Sequence, residues 1–270
     1  MMPLYYKGTF FGYFGGKHFL IKKLLPLIPP HKVYVEVFGG SAEMLFQKQP
    51  SKVEVYNDID GNLVNLFEVV RNRYHEFKEK AKWLLYSREL EDRFEDLNVA
   101  DEVEKAVRTW YVYQTSFSGR FNSGWGFSRI HVKPKTFFRK LDLTLDKVHA
   151  RLKNVYIDHL DFRKCIKNWD SPETFFFMDP PYRGTEQANV YSFSDNDYND
   201  LAEICHTMQG KFMMTLNVDP YLQSLFKDFN IKYEDVPLPS YGVTRQSKRK
   251  VRGRYCHMIV MNYDLEGGGG

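Results

Sequence analysis

The run Thr174-Phe175-Phe176-Phe177-Met178, followed at once by Asp179-Pro180-Pro181-Tyr182, restricts the fold of this chain more than any other segment. A short stretch that is apolar almost throughout reads as a strand buried in a sheet, and two consecutive prolines, which donate no N–H to a ladder, require it to stop. Asp179 therefore falls at the strand's carboxyl end, where open α/β sheets bind their ligands. Its carboxylate and the Pro180 carbonyl are pure acceptors and can together take both N–H bonds of an exocyclic amino group. The nitrogen of an aromatic amine is a poor nucleophile because its lone pair is delocalised into the ring. Holding both hydrogens lets it pyramidalise and aim that pair at an electrophile. Tyr182 adds a flat ring on which an extruded base could stack. Taken alone, these residues also fit an ordinary strand and turn, so company decides between the readings.

Strand-like and helix-like segments alternate along much of the chain. Residues 33–37, 53–56, 155–157, 174–178 and 211–216 read as strands, and 41–47, 62–73 and 195–208 as helices. That alternation implies a mostly parallel sheet covered by helices on both faces. Residues 231–238 and 254–263 are strands with no helix between them, which suggests an antiparallel pair closing the sheet. A chain of 270 residues can bury such a core without staples.

Two segments near the N-terminus join the Asp-Pro-Pro-Tyr turn. Gly39 and Gly40 follow the first strand and permit close backbone approach at a βα turn, with Ser41 as a candidate helix N-cap. The spacing does not make the dinucleotide fingerprint. Asp58 ends the second strand, where an acid commonly grips ribose hydroxyls. It also suits a cap on the helix that follows.

Together these segments resemble the DNA adenine-N6 methyltransferases of the Dam type (alpha class, D12 family), from about Tyr13 to Tyr263. The resemblance implies S-adenosylmethionine (SAM) as cofactor and duplex DNA as partner. Gly12-Tyr13 to Gly16-Lys17 looks like the first SAM motif, with Tyr13 and Lys17 on the cofactor. Glu36, Phe38, Gly39 and Gly40 look like the loop around its methionine part. Asp58 matches the ribose acid, Asp161-Phe162 the position that reads the cofactor's adenine, and Asp179, Pro180, Pro181 and Tyr182 the catalytic motif, with Asp179 also beside the cofactor. The implied fold is a Rossmann-like α/β methyltransferase sheet with an inserted, mainly helical target recognition domain. Residues 1–61 and 154–266 would form the catalytic domain, 62–153 the recognition domain, and 267–270 a linker-like tail.

Several chemistries are excluded or unsupported. A P-loop fails because Phe11 stands where its first glycine belongs and His18 where Ser or Thr belongs. Cytosine-C5 methylation uses a cysteine after a proline, and Cys165, Cys205 and Cys256 follow none. Their spacing offers no zinc ligands, so no metal is expected. With no long apolar run, the chain is expected to be cytoplasmic and away from membranes; the resemblance further implies a nucleoid-associated or phage- or prophage-encoded protein, a monomer or weak dimer. A cognate restriction enzyme is a candidate partner. Cytosine N4 or an RNA base is the alternative acceptor on the same fold, and an idle DNA-binding homologue is the alternative outside catalysis.

Within the insertion, residues 102–113 carry apolar side chains three and four apart and read as an amphipathic helix. Residues 114–130 differ, being rich in Gly, Ser, Arg, Asn and aromatics without a helical period. That composition suits a hairpin or loop presenting Arg120, Asn122 and Arg129 to base edges, with Phe121 or Trp125 filling the gap left by a flipped base. The segment lacks the Pro-Phe-Gly ending of GATC-reading relatives, so no target sequence is assigned. A net charge of +4 is mildly basic, but Lys248, Arg249 and Lys250 sit in a dense basic run that suits phosphate contacts.

Overall fold

The computed structural model describes residues 9–13, 15–17, 19–129, 131–184, 193–237 and 253–265. Its first elements are α1 (Ile21–Leu24), β1 (Val33–Glu36), α2 (Glu43–Gln47), β2 (Val53–Asn57) and α3 (Gly61–Asn72). Helices α4 (Tyr74–Lys82), α5 (Arg88–Phe94), α6 (Glu102–Thr115) and α7 (Lys133–Leu152) follow. The chain then alternates through β3 (Val155–Asp158), α8 (Phe162–Trp169), β4 (Thr174–Met178), α9 (Asp195–Thr207), β5 (Lys211–Asn217) and α10 (Pro220–Leu225). It closes with β6 (Asn230–Pro237) and β7 (Arg254–Met261).

The strands form a seven-stranded sheet in the order β3-β2-β1-β4-β5-β7-β6. β1 runs parallel to β2 and to β4, β4 runs parallel to β5, and β7 is antiparallel to both β5 and β6. The late strands thus form the expected antiparallel pair, with β7 inserted beside β5. Strand order reverses at β1, whose successors lie on opposite sides of it. Glu36 registers with Phe177, so β1 and β4 end side by side at this switch point, the usual ligand crevice of such sheets.

All five residues of β4 are buried, as a strand covered on both faces requires. Phe176 and Met178 join a core with Val35, Phe212, Met214, Leu201 and Val260. Each buried aromatic or aliphatic chain of this kind contributes about 1.5–3 kcal/mol.

The molecule divides into two compact units, residues 1–18, 40–50 and 58–159 in the first and 19–39, 51–57 and 160–270 in the second. In the first, α6 buries Val103, Ala106, Val107, Trp110 and Tyr111, the positions spaced three and four apart. Asp101 caps this helix, accepting from Val103 N at 2.8 Å and Glu104 N at 3.2 Å. The Phe10 ring packs against Trp110 at 6.2 Å and Phe77 at 6.4 Å.

Two expected caps are corrected. Ser41 does not cap α2: the residue before Glu43 is Ala42, left-handed at φ 55°, with no side-chain bond to the helix. Gly40 is left-handed as well, at φ 49°, so the turn keeps winding past Ser41 before the helix begins. Nor does Asp58 cap α3. That role belongs to Asp60, which accepts from Asn62 N at 2.9 Å. Lys248, Arg249 and Lys250, Leu238 at the expected end of a strand, and the tail 267–270 lie outside the described residues.

Candidate active site

In the second unit, parallel register places Met178 opposite Met214, and the next step brings Asp179 beside Thr215. Thr215 Oγ1 donates to Asp179 Oδ1 at 2.5 Å. The turn beyond is held from three sides. The Tyr198 hydroxyl donates to the Pro181 carbonyl. The Asn217 amide closes a ring on Arg183, accepting from its N at 3.1 Å and donating to its carbonyl at 3.1 Å. The Arg183 guanidinium binds Asp195 at 2.8 Å and Asp219 at 3.3 Å. These bonds replace the ladder that two prolines cannot make.

Tyr182 is fixed in the same way. Its hydroxyl and His257 Nδ1 are hydrogen-bonded at 2.7 Å, and its ring lies 13° from parallel with Tyr255 at 6.3 Å. Burial, reinforced by the Asp179 charge, holds the phenol well above its ordinary pKa, so it stays neutral. A neutral phenol anchored at its hydroxyl is not poised to act as a base.

The remaining expected residues of this unit serve several roles. Glu36 is buried and accepts from the Tyr34 hydroxyl at 2.8 Å. A Cβ on Gly39 would fall 2.1 Å from the Tyr56 ring, so only glycine allows this crossing. Phe38 packs on Phe162 and Phe193, with centroids at 5.7 Å in both cases. Asp161 caps α8, accepting from Arg163 N at 2.9 Å, and also pairs with the Arg163 guanidinium at 3.0 Å. Asn57 binds the Val37 carbonyl at 2.9 Å, the Leu160 carbonyl at 3.0 Å and Leu160 N at 2.9 Å. It ties together the loops that carry Phe38 and Asp161.

In the first unit, Asp58 accepts from Gly40 N at 2.7 Å through Oδ2 and from Asp60 N at 2.8 Å through Oδ1. A carboxylate offers about four lone-pair sites, so two backbone bonds leave capacity for hydroxyl donors. Burial lifts its pKa to about 6, opposed by the Asp60 and Gly40 N–H groups. A Cβ on Gly40 would come within 2.9 Å of the Tyr13 ring. Lys17 is buried and donates to the Gly15 carbonyl at 2.8 Å.

The segment expected to read DNA does form a small hairpin in this unit. Ser116 and Trp125 make an antiparallel bridge, Phe117 N donates to the Gly124 carbonyl at 2.6 Å, and a 3-10 turn spans Phe117–Gly119. Asn122 is exposed at the tip with φ 55°, its N bound to Glu95 Oε1 at 2.6 Å, and Arg129 is exposed as well. Arg120 is partly buried, with its N on Ser116 Oγ at 3.0 Å. Phe121 packs edge-on against Tyr113 at 5.1 Å, and Trp125 stacks on Phe127 at 5.9 Å.

Sequence reasoning did not single out Tyr255 and His257 around Tyr182, because both arrive on an antiparallel strand far along the chain. Nor did it find Arg88, whose guanidinium lies over the Trp125 ring at 5.1 Å. Among the described residues, no cluster of His, Cys, Asp or Glu could hold a metal, and no helix is long and apolar enough to cross a membrane.

Comparison with known proteins places this chain in a family. The modification methylase StsI of Streptococcus sanguinis is 23% identical over 220 residues, which cover 71% of this chain and 31% of that protein. The DNA adenine methylase of Serratia marcescens is 22% identical over 262 residues, 91% of this chain and 94% of that one. This chain thus spans less than a third of the first relative and nearly all of the second. The crystal structure of SMU.472 complexed with SAH aligns at a TM-score of 0.28 and 13% identity, over 62% of this chain and 38% of that one. Residues 13–236 match the sequence profile of one family, and with most of the molecule inside that match, the chain belongs to the D12 class N6 adenine-specific DNA methyltransferases.

Proposed function

We propose that this protein transfers a methyl group from SAM to the N6 amino group of an adenine flipped out of duplex DNA. The observation that carries the reading is the acid at the end of β4: Asp179 is held by Thr215, next to a proline carbonyl and an anchored tyrosine ring. Family membership supports the choice of adenine.

SAM, when bound, supplies an electrophilic methyl group on a sulfonium. The chain's own residues handle the acceptor. Tyr182 stacks the extruded base, and the Asp179 carboxylate and Pro180 carbonyl accept its two N–H bonds. The nitrogen lone pair is thereby freed from the ring and aimed, a preorganised arrangement of the kind that typically contributes 10²–10³ in rate per acceptor or donor. The amino proton leaves through Asp179 or directly to water.

For the cofactor, Asp58 would accept from the ribose hydroxyls. The lone pairs it retains beside Gly40 fit a diol. Tyr13, Lys17, Glu36, Phe38, Gly39, Gly40, Asp161 and Phe162 complete the proposed set. Since Asp161 already caps α8, it would keep one oxygen for its helix while receiving an exocyclic amine. Arg120, Asn122 and Arg129 are proposed to contact base edges and Lys248, Arg249 and Lys250 phosphates, with catalysis in 1–61 and 154–266 and recognition in 62–153. An enzyme with this substrate would work in the cytoplasm as a monomer or weak dimer, and a cognate restriction enzyme is a natural companion.

Nucleoside analysis of duplex DNA incubated with the protein and labelled SAM tests the proposal. N6-methyladenine is the expected product. N4-methylcytosine would move the acceptor, label in RNA alone would change the substrate, and no product would leave an idle scaffold.

A further inference from the structure

Arg88, the first residue of α5, is exposed and lies outside the hairpin, yet its guanidinium carbon sits 5.1 Å from the Trp125 ring centroid and 5.8 Å from that of Phe127. The two rings are two residues apart in the chain and stack 18° from parallel at 5.9 Å. Gly126 between them is fixed on both sides. Its N donates to the Thr115 carbonyl at 2.6 Å, and its carbonyl accepts from the Tyr86 hydroxyl. The backbone that carries the two rings is therefore held in place, and Phe127 is 58% exposed.

A guanidinium within about 6 Å of ring centroids is drawn to them by the cation–π attraction and placed by them. Cation–π contact uses none of its five N–H donors, which remain suited to an oxyanion. Beside the platform runs a cleft of about 330 Å³ whose lining includes Tyr86, Trp125, Phe127, Arg129, His131 and Lys133. None of the described residues that line it is acidic. On α5 itself Glu91 is fully buried, while Glu89 and Asp92 are exposed beside Arg88 and lie outside the cleft lining. A cleft lined by cations and exposed aromatic edge, with no carboxylate in its lining, attracts a phosphodiester chain.

We infer that Arg88 and Lys133 form a clamp for the backbone phosphates of the DNA strand flanking the target, with the Trp125–Phe127 pair as the platform that positions Arg88. The inference rests on the methyltransferase reading and adds Arg88, Lys133 and Phe127 to its DNA surface. It also gives Trp125 a different task from filling the gap left by the flipped base. With Arg88 beside it, that ring supports a contact instead of replacing a base.

Duplex affinity measured against salt concentration tests this, with target and random duplexes of equal length and a methyl-transfer assay on the same preparations. Arg88→Gln and Lys133→Gln should each lower the log–log salt slope by about 0.9 and weaken both duplexes alike. Trp125→Leu should reproduce the Arg88→Gln loss, and the double variant should lose little more, because both changes remove one contact. Phe127→Leu, at an exposed position, gives a smaller loss of the same kind and guards against misfolding at Trp125. A wild-type protein that binds and methylates DNA while Arg88→Gln leaves slope and affinity unchanged overturns the clamp alone. So does a loss confined to the target duplex, which would make Arg88 a base reader. A wild-type protein with neither DNA affinity nor methyl transfer overturns the functional reading and the clamp with it.

Discussion

Thr215 Oγ1 donates to Asp179 Oδ1 at 2.5 Å, one strand supporting the acid that ends its neighbour. Thr215 is fully buried, and a hydroxyl in that position locks the carboxylate's rotation. Thr215→Val keeps the shape and removes the donor. Single-turnover methyl transfer should fall about tenfold, equivalent to roughly 1.4 kcal/mol, with duplex affinity within about twofold of wild type. Rapid-quench kinetics provide the check, and an unchanged rate would mean that the turn alone orients Asp179.

Tyr182 separates ring from hydroxyl. Tyr182→Phe gives up the His257 bond but keeps the stacking face, so its rate should stay within about fivefold of wild type. Tyr182→Ala should lose about 1–3 kcal/mol, the scale of base–aromatic stacking. Fluorescence of 2-aminopurine at the target position reads the flipped base directly. Equal losses in the two variants would move the function from the ring to the hydroxyl.

Burial raises Asp58 from 3.8 to about 6. The folded protein then holds this proton more tightly than the unfolded chain does, so the group's contribution to stability declines as pH rises from about 4 to 6. Ribose hydroxyls favour the ionised form. SAM binding should therefore weaken as pH falls below about 6, by up to about tenfold per unit. Calorimetry across this range should show a flat profile for Asp58→Asn, together with a loss of about 1.5–3 kcal/mol at neutral pH. A wild-type affinity independent of pH would detach Asp58 from the cofactor.

Glu91 lies fully buried in α5, with Asp92 and Glu95 as neighbours and no cation donating to its carboxyl among the described residues. Burial, with Glu95 and Asp92 nearby, raises it from 4.5 to about 7. The sign is the same: ionisation costs stability, so the fold weakens as pH rises through 7. Glu91→Gln removes that dependence. It should stabilise the protein by about 1 kcal/mol at pH 8 and by less at pH 6, as thermal melts at the two values would show.

The β4 strand and its stop were legible because an apolar run and two prolines act locally. The α6 face was legible for a similar reason, since its three-and-four spacing survives in the sequence. The caps of α2 and α3 were not, because Gly40 and Ala42 adopt left-handed backbone that shifts the helix start beyond Ser41. Asp58 and Asp60 are two residues apart with the same chemistry, and only the fold decides which one caps and which one holds Gly40 N. Partners brought by distant pairing, such as His257 on Tyr182 and Arg88 on Trp125, leave no local signature at all.

Single-turnover methyl transfer by Asp179→Ala, on a duplex carrying the target, tests most directly the proposed activation of an adenine amino group by Asp179. The rate should fall by at least about two orders of magnitude with duplex affinity nearly unchanged, because the lost acceptor acts chiefly in the transition state. A variant that keeps more than about a tenth of the wild-type rate would contradict it.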